Sequence, residues 1–297
     1  MFQPTDHNVD LSEEEFRLLR DLIHERFGLF FDDNQRASLR TRLAGRLATL
    51  DLVSFEDYYH YLRFGPQRGD ELQRMVTHLT NNETYFYREA PQLHVFSEIV
   101  LREIKDAKSG GGNRTLRVLS AGCSTGEEAY TLAMMIYDSG QFFWNWDVQV
   151  IGMDVDQVAL EKARRAVYHH NSFRSLSPAV KERHFVPAVG AAGQVKEPIR
   201  RLVSFRAGNI VDPASYMGLP ALDVIFCRNV LIYFSDVMIL KVVRLFHDAL
   251  VPGGYLFLGH AESLSRITDL FTPIRFQGAM IYRKEGPRES HAEAAGT

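Results

Sequence analysis

The sequence predicts an α/β protein: a doubly wound, mainly parallel sheet covered by helices on both faces, with a small all-helical domain in front and a small inserted β-subdomain. Three observations carry that reading. The first hundred residues show helical periodicity without a strand pattern. Beyond the glycine tract after Lys108, apolar strand-like runs alternate with helical segments. Those runs are too apolar to leave one sheet face in water.

Taken in order, "LSEEEFRLLRDLIHERFG" sets Phe16, Leu19, Ile23 and Phe27 at helical spacing. A capping box from Ser12 to Glu15 opens this helix and Gly28 ends it. A second helix is expected from about Asn34 to Leu50, a third opened by Ser54 with Asp57 three residues on, and a fourth from about Glu71 to Leu79. Residues 1–80 therefore read as one helical domain, and 81–110 as a linker and helix contributing to the site. Residues 111–285 read as the sheet domain. Its strands are "TLRVLSAG", "VQVIGMDV", "ALDVIFCRN" and "GYLFLGH", and its helices run from Glu127 to Tyr137, over "DQVALEKARRAVY", and over "DVMILKVVRLFHDALV", which "PGG" should terminate. Residues 168–206 hold the small-residue stretch "VGAAGQVKEP" between short β-like segments, and read as the inserted β-subdomain. "FTPIRFQGAMIYRK" reads as an antiparallel hairpin turning near Gly278, and the tail at 286–297 as disordered or a linker.

Composition narrows the function. A net charge of -3 argues against wholesale binding to nucleic acid or to an anionic membrane, and 45% hydrophobic residues suffice for a substantial core. Cys123 and Cys227 are the two cysteines, with no zinc spacing and no disulfide framework, so no metal is expected and a reducing cytoplasm fits best. The start "MFQPTDHNVD" lacks the features of a signal peptide, and no apolar run approaches a membrane span.

The stretch "VLSAGCSTGEEAY" passes from strand through a glycine loop into an acidic helix start. A P-loop needs lysine and a hydroxyl residue after its last glycine, whereas Gly126 is followed by Glu127 and Glu128. The dinucleotide fingerprint lacks its third glycine in register. What remains is close backbone approach at Gly122 and Gly126 with acid nearby, suited to a cationic ligand without phosphate. Asp154, at the tip of the next strand, either caps the following helix or takes ribose hydroxyls; its pairing with the glycine loop favours ribose. S-adenosylmethionine has the ribose, the ammonium and the sulfonium, and no phosphate.

The strings "NNETYFYREAPQL", "RVLSAGCSTGEEAYTLAM", "GMDVDQVALEKAR", "FCRNVLIYF" and "GYLFLGHAES", in this order, resemble the CheR-type chemoreceptor glutamate methyltransferases. The likeness runs from about Leu11 to Lys284. It implies a Rossmann-like, S-adenosylmethionine-dependent methyltransferase fold and esterification of glutamates on chemoreceptor signalling helices, with S-adenosylhomocysteine as product. As cofactor-binding residues it implies Asn82, Thr84, Arg88, Gly122, Glu128, Asp154, Asn209, Ile210, Arg228 and Asn229. At the reacting centre it implies Arg88 and Tyr233. Ala129 replaces a residue that is often proline in the family, a change expected to be harmless. Members differ in whether the inserted subdomain binds a tether at the receptor C-terminus, and "VGAAGQVKEP" leaves that open. A cytoplasmic monomer is expected, without nucleic acid and without membrane insertion.

Chemistry agrees. A glutamate carboxylate with a pKa near 4.3 is ionised at neutral pH, so the nucleophile needs no general base, and the motifs supply none. In isolation Arg88, Arg228 and Tyr233 read as an ion-pair partner, a strand-end ion pair and a core aromatic. Within the matched strings they read as site residues. Both cysteines read as packing residues, His169 and His170 as surface residues, and His260 as structural.

Between Asn34 and Leu50 stand Arg36, Arg40, Arg42 and Arg46 with no acid. Leu39, Leu43 and Leu47 form a stripe that these arginines flank. They either snorkel at the edge of a core stripe or dock an acidic receptor helix, and the resemblance supports docking. Two other classes compete. A nucleic-acid methyltransferase would usually carry an acidic proline-aromatic motif where "CRNVLIYF" stands, and a cofactor-sensing adaptor would not need Arg88 and Tyr233.

Overall fold

A computed structural model describes residues 9–112 and 114–286 of the chain. The tail anticipated at 286–297 lies, apart from Gly286, outside the described residues. The front domain contains α1 (Glu13–Phe27), α2 (Arg36–Leu50), α3 (Phe55–Phe64) and α4 (Arg68–Leu79). The capping box of Ser12 and Glu15 forms as expected, and Ser54 accepts the Asp57 N–H at the start of α3. Leu39, Leu43 and Leu47 are buried against Leu19, Ile23, Phe55 and Met75, each leucine contributing about 1.5–3 kcal/mol of burial.

The arginines of α2 divide between two tasks, which corrects the expectation that all four face a partner. Arg46 is buried and forms a two-pronged pair with Glu71, with Nε donating to Oε1 at 2.8 Å and Nη2 to Oε2 at 2.6 Å. Tyr58 donates to the same Glu71 Oε1 at 2.8 Å. Arg42 donates to the carbonyl of Leu79 at 2.6 Å, at the end of α4. Both side chains thus cross-brace α2 against α4. Arg36 is exposed and Arg40 partly exposed. Truncating Arg46 to alanine should cost about 3–5 kcal/mol, since it strands a buried carboxylate. Denaturant unfolding checks this, with Arg36→Ala, expected within about 0.5 kcal/mol of the parent, as control.

Behind this domain, α5 (Ala90–Val95), a π-turn over Phe96–Val100 and α6 (Leu101–Ser109) make one continuous helical rod. It packs on the sheet face, Phe96 meeting Phe226 and Phe257 edge-on. Within residues 81–110 this rod belongs to the core, while Asn81, Asn82, Glu83, Thr84, Tyr85 and Arg88 ahead of it line the cavity described below.

The sheet domain follows with β1 (Thr115–Ala121), α7 (Glu127–Asp138), β2 (Asp147–Asp154) and α8 (Gln157–Arg165). Next come β3 (Val167–Tyr168), α9 (Pro178–His184), β4 (Phe185–Ala188), β5 (Ala191–Val195) and α10 (Glu197–Arg200). The chain closes with β6 (Val203–Ala207), β7 (Leu222–Cys227), α11 (Asp236–Ala249), β8 (Leu250–Leu258), β9 (Thr272–Phe276) and β10 (Ala279–Arg283). The main sheet runs β6-β2-β1-β7-β8-β10-β9, parallel from β6 to β8, with the terminal hairpin antiparallel. β3, β5 and β4 form the inserted antiparallel sheet.

Two boundaries differ from expectation. β6 pairs with β2 in the main sheet, so the insert ends before it and not at 206. "PGG" does not end α11: the helix stops at Ala249, and Pro252 and Gly253 sit inside β8. The register against β7 slips between Leu222 and Val224. A proline without an N–H belongs at such an irregularity.

The strand order reverses between β1 and β7, which opens a crevice at the carboxyl edge. The front domain closes over it. Leu29 bridges Phe234, the Phe30 N–H donates to the Tyr233 carbonyl at 2.8 Å, and Asn209 Nδ2 donates to the Arg26 carbonyl at 2.7 Å. Gly28 makes the approach possible. Its φ is +77°, and a Cβ there would lie 2.7 Å from Val211 Cγ1 and 2.9 Å from Met238 Cγ.

Candidate active site

The ends of β1, β2, β6 and β7, with residues 79–85 and Arg88, line one open cavity. Every residue anticipated for the cofactor and the reacting centre lines it: Asn82, Thr84, Arg88, Gly122, Glu128, Asp154, Asn209, Ile210, Arg228, Asn229 and Tyr233. Of the arginines on α2, none does.

The glycine loop is closed to phosphate for a reason the sequence did not reveal. Gly122 and Cys123 N–H both donate to the Met153 carbonyl, at 2.8 and 3.1 Å, and Gly126 N–H donates to Cys123 at 2.9 Å. Ser124 N–H donates to Asp154 Oδ2 at 2.7 Å. These amides, which a phosphate cradle would present to its ligand, are spent within the fold. Gly122 has φ +74°, and a Cβ there would meet Val230 Cγ2 at 2.5 Å, so only glycine fits beneath the β7 loop.

The two glutamates part company, which corrects the picture of a doubly acidic pocket. Glu127 turns away from the cavity, is buried, and accepts from Thr125 Oγ1 at 2.6 Å and Ser172 Oγ at 2.8 Å; burial raises its pKa. Glu128 faces the cavity but is charge-compensated: Arg228 Nε donates to Oε2 at 2.7 Å and Ser120 Oγ to Oε1 at 2.7 Å. Arg228 is itself buried and donates to the Arg88 carbonyl at 2.8 Å. One guanidinium thus joins the glycine-loop helix, the β7 edge and the segment bearing Arg88.

Asp154 does not cap α8. Asp156 does, accepting from Val158 and Ala159 N–H, while Asp154 accepts from Ser124 N–H and, at 2.8 Å, from Asp156 N–H. Burial pushes the Asp154 carboxyl up to about 6, against those two amides. Asn82 and Asn209 line the cavity with amides already committed. Asn82 Nδ2 donates to Asp156 Oδ2 at 2.8 Å and its Oδ1 accepts from Ser124 Oγ at 2.9 Å, so Asn82 clamps residues 81–88 to the glycine loop.

Tyr87 and Glu89 both have φ +59°, placing Arg88 between two left-handed residues. Such strain, about 1–3 kcal/mol for each residue, is found where a fold holds a side chain at a working position. Arg88 Nη1 donates to the Glu83 carbonyl at 3.1 Å, and its guanidinium lies 5.7 Å from the Tyr85 ring centroid. Tyr233 is 38% exposed at the cavity mouth, with Asn81 Nδ2 3.4 Å from its hydroxyl. Burial raises the thiol pKa of Cys123 and of Cys227, which act as packing residues. His169, His170 and His260 are exposed.

Sequence reasoning passed over Glu262, two residues beyond His260. It is buried, its burial raises its pKa, and its carboxylate accepts backbone amides of the loop that follows β7. The pattern of a glycine at the end of an apolar strand with an acid three residues on was its only trace.

The residues fit S-adenosylmethionine. Asn229, on the cavity wall, has a buried Oδ1 with no donor among the described residues, as a site awaiting an ammonium or amino group requires. A switch-point crevice with no phosphate cradle, an acid at the tip of β2 and such an acceptor defines an S-adenosylmethionine-dependent methyltransferase. Residues 14–80 match the CheR methyltransferase all-alpha domain, and residues 82–280 the CheR methyltransferase SAM binding domain. The chain belongs to the CheR methyltransferase family, and S-adenosylmethionine is its cofactor. It is 34% identical to Chemotaxis protein methyltransferase 2 of Vibrio cholerae, over 98% of this chain and 99% of that one. It is also 34% identical to the Chemotaxis protein methyltransferase of Escherichia coli, over 92% and 91% of the two chains, and to Chemotaxis protein methyltransferase 1 of Pseudomonas aeruginosa, over 93% and 99%. Among the described residues no helix is long and apolar enough to cross a membrane.

Proposed function

We propose that the protein methylates glutamate side chains on the cytoplasmic helices of chemoreceptors, giving methyl esters, with Arg88 and Tyr233 steering the substrate carboxylate. One observation carries the reading: the cavity that fits the cofactor opens at Arg88 and Tyr233, and among the described residues its lining holds no histidine or lysine, while the carboxylates of Glu128 and Asp154 are engaged by Arg228 and by backbone amides. A carboxylate nucleophile needs no base, whereas an amine or hydroxyl would. The cofactor supplies an electrophilic methyl on a sulfonium. Asp154 would take the ribose hydroxyls, Asn229 the cationic end, and Val155 and Ile210 the base, with Glu128 and Arg228 holding the wall between them in fixed geometry. Positioning of this kind is worth about 7–11 kcal/mol in favourable cases.

Arg88 cannot bind the attacking oxygen too tightly without weakening it. A single anchoring bond to Glu83 leaves its other donors free to take the far oxygen of the carboxylate.

Docking falls to Arg36, exposed on α2, with the partly exposed Arg40 one turn on; Arg42 and Arg46 serve the front domain. Reversing Arg36 and Arg40 to glutamate should raise the KM for a receptor fragment by about tenfold or more and leave cofactor affinity unchanged, as expected for rim charges. Equal loss of both would count against docking there. A receptor tether would add as a strand at an edge of the β3-β5-β4 sheet, where Val186 on β4 is exposed.

A further inference from the structure

Glu262 lies in the turn after β8 and does not line the cavity. Its carboxylate nevertheless collects four backbone amides. Oε2 accepts from Gly259 N–H at 2.5 Å and Asn229 N–H at 3.0 Å, and Oε1 from Val230 N–H at 2.9 Å and Ile232 N–H at 3.2 Å. It is 7% exposed and has no ion-pair partner among the described residues. Burying a carboxylate without a counter-ion is costly, and here only amide dipoles compensate it. The charge itself therefore needs a reason.

The three amides beyond β7 supply one. They belong to the turn from Arg228 to Tyr233, which includes a left-handed Asn229 at φ +60° and a single turn of 3-10 helix at Leu231–Tyr233. No strand or helix of ordinary length satisfies these N–H groups. The same turn carries Arg228, the partner of Glu128; Asn229, with its unpartnered Oδ1; and Tyr233 at the mouth. Gly259 completes the template, because a Cβ there would lie 2.7 Å from Glu262 Oε2 and 2.8 Å from the Asn229 nitrogen.

We propose that Glu262 is a positioning residue for methyl transfer: its ionised carboxylate moulds the Asn229–Tyr233 turn, and so sets Asn229 against the cofactor and Tyr233 against the substrate. The proposal rests on the roles given above to Asn229 and Tyr233. Glu262→Gln keeps the size but turns an NH2 group toward two amide donors. It should lower kcat at saturating substrates at least tenfold and weaken S-adenosylhomocysteine binding severalfold by calorimetry. The denaturant midpoint should fall, because two buried amides lose their acceptor, so both readings are taken where the variant is fully folded; the KM for receptor fragment should stay near that of the parent, a split that a scaffold role would not produce. Gly259→Ala, which intrudes on the same two bonds and keeps the carboxylate, should reproduce the pattern. Parental kcat and binding in Glu262→Gln would overturn the proposal. If that variant fails to fold, parental kcat and binding in Gly259→Ala would overturn it equally. Failure of the parent protein to bind S-adenosylhomocysteine would instead refute the cavity assignment, and the proposal with it.

Discussion

Arg88→Ala is expected to lower receptor methylation by about a hundredfold or more while leaving the protein folded, because misplacing a nucleophile by about 1 Å already costs that much. The side chain makes one hydrogen bond, to the Glu83 carbonyl, and is partly exposed, so truncation should cost little stability. Two left-handed neighbours hold its backbone in place, and Arg228 Nη1 fixes its carbonyl. The frame would survive the substitution and the steering group would be gone. Methyl-label incorporation into a receptor fragment at saturating cofactor measures the effect. Near-parental turnover would remove Arg88 from the mechanism.

The second large effect concerns Asp154. Its replacement by asparagine should weaken cofactor binding by about tenfold to a hundredfold, the cost of losing roughly 1.5–3 kcal/mol of charge-assisted hydrogen bonding. The pH dependence is the sharper signature. Burial pushes this carboxyl up to about 6 from an ordinary 3.8, so below about pH 6 the empty site holds a proton there. Ribose hydroxyls donate best to the ionised form. Affinity should rise with pH through about 6 and level off above it, one unit below the pKa costing about tenfold. Asp154→Asn should flatten that profile. The sign for stability is opposite. With the folded pKa raised above the unfolded value, the empty protein binds the proton more tightly, so this group's contribution to stability is present below about pH 4 and is lost as pH rises to about 6.

Much of this architecture was legible in the sequence, and its gaps have physical causes. Capping chemistry is local, so the Ser12–Glu15 box and Gly28 delimited α1 correctly, and the terminal hairpin turned at Gly278. β6, "VSFRA", is an edge strand with only partly buried side chains, and so was absorbed into the insert. The residues that the family resemblance implied line one cavity, because the strings that carry them meet at the carboxyl edge of the sheet. What each side chain does was less visible. Arg46 and Arg42 looked like their neighbours Arg36 and Arg40, since a pair with Glu71 twenty-five residues away leaves no periodic trace. Glu127 and Glu128 are adjacent, yet one faces the insert and the other the cavity, a division set by the rotation of a helix start. Glu262 was hidden because its partners are backbone amides, which every sequence has.

The central claim, that a carboxylate is methylated without a general base, is tested most directly by incubating the protein with methyl-labelled S-adenosylmethionine and a chemoreceptor signalling-helix fragment. The predicted result is label at glutamate side chains, located by mass mapping and released as methanol by mild base. Label that resists base, or that appears in nucleic acid in place of the fragment, would contradict the account.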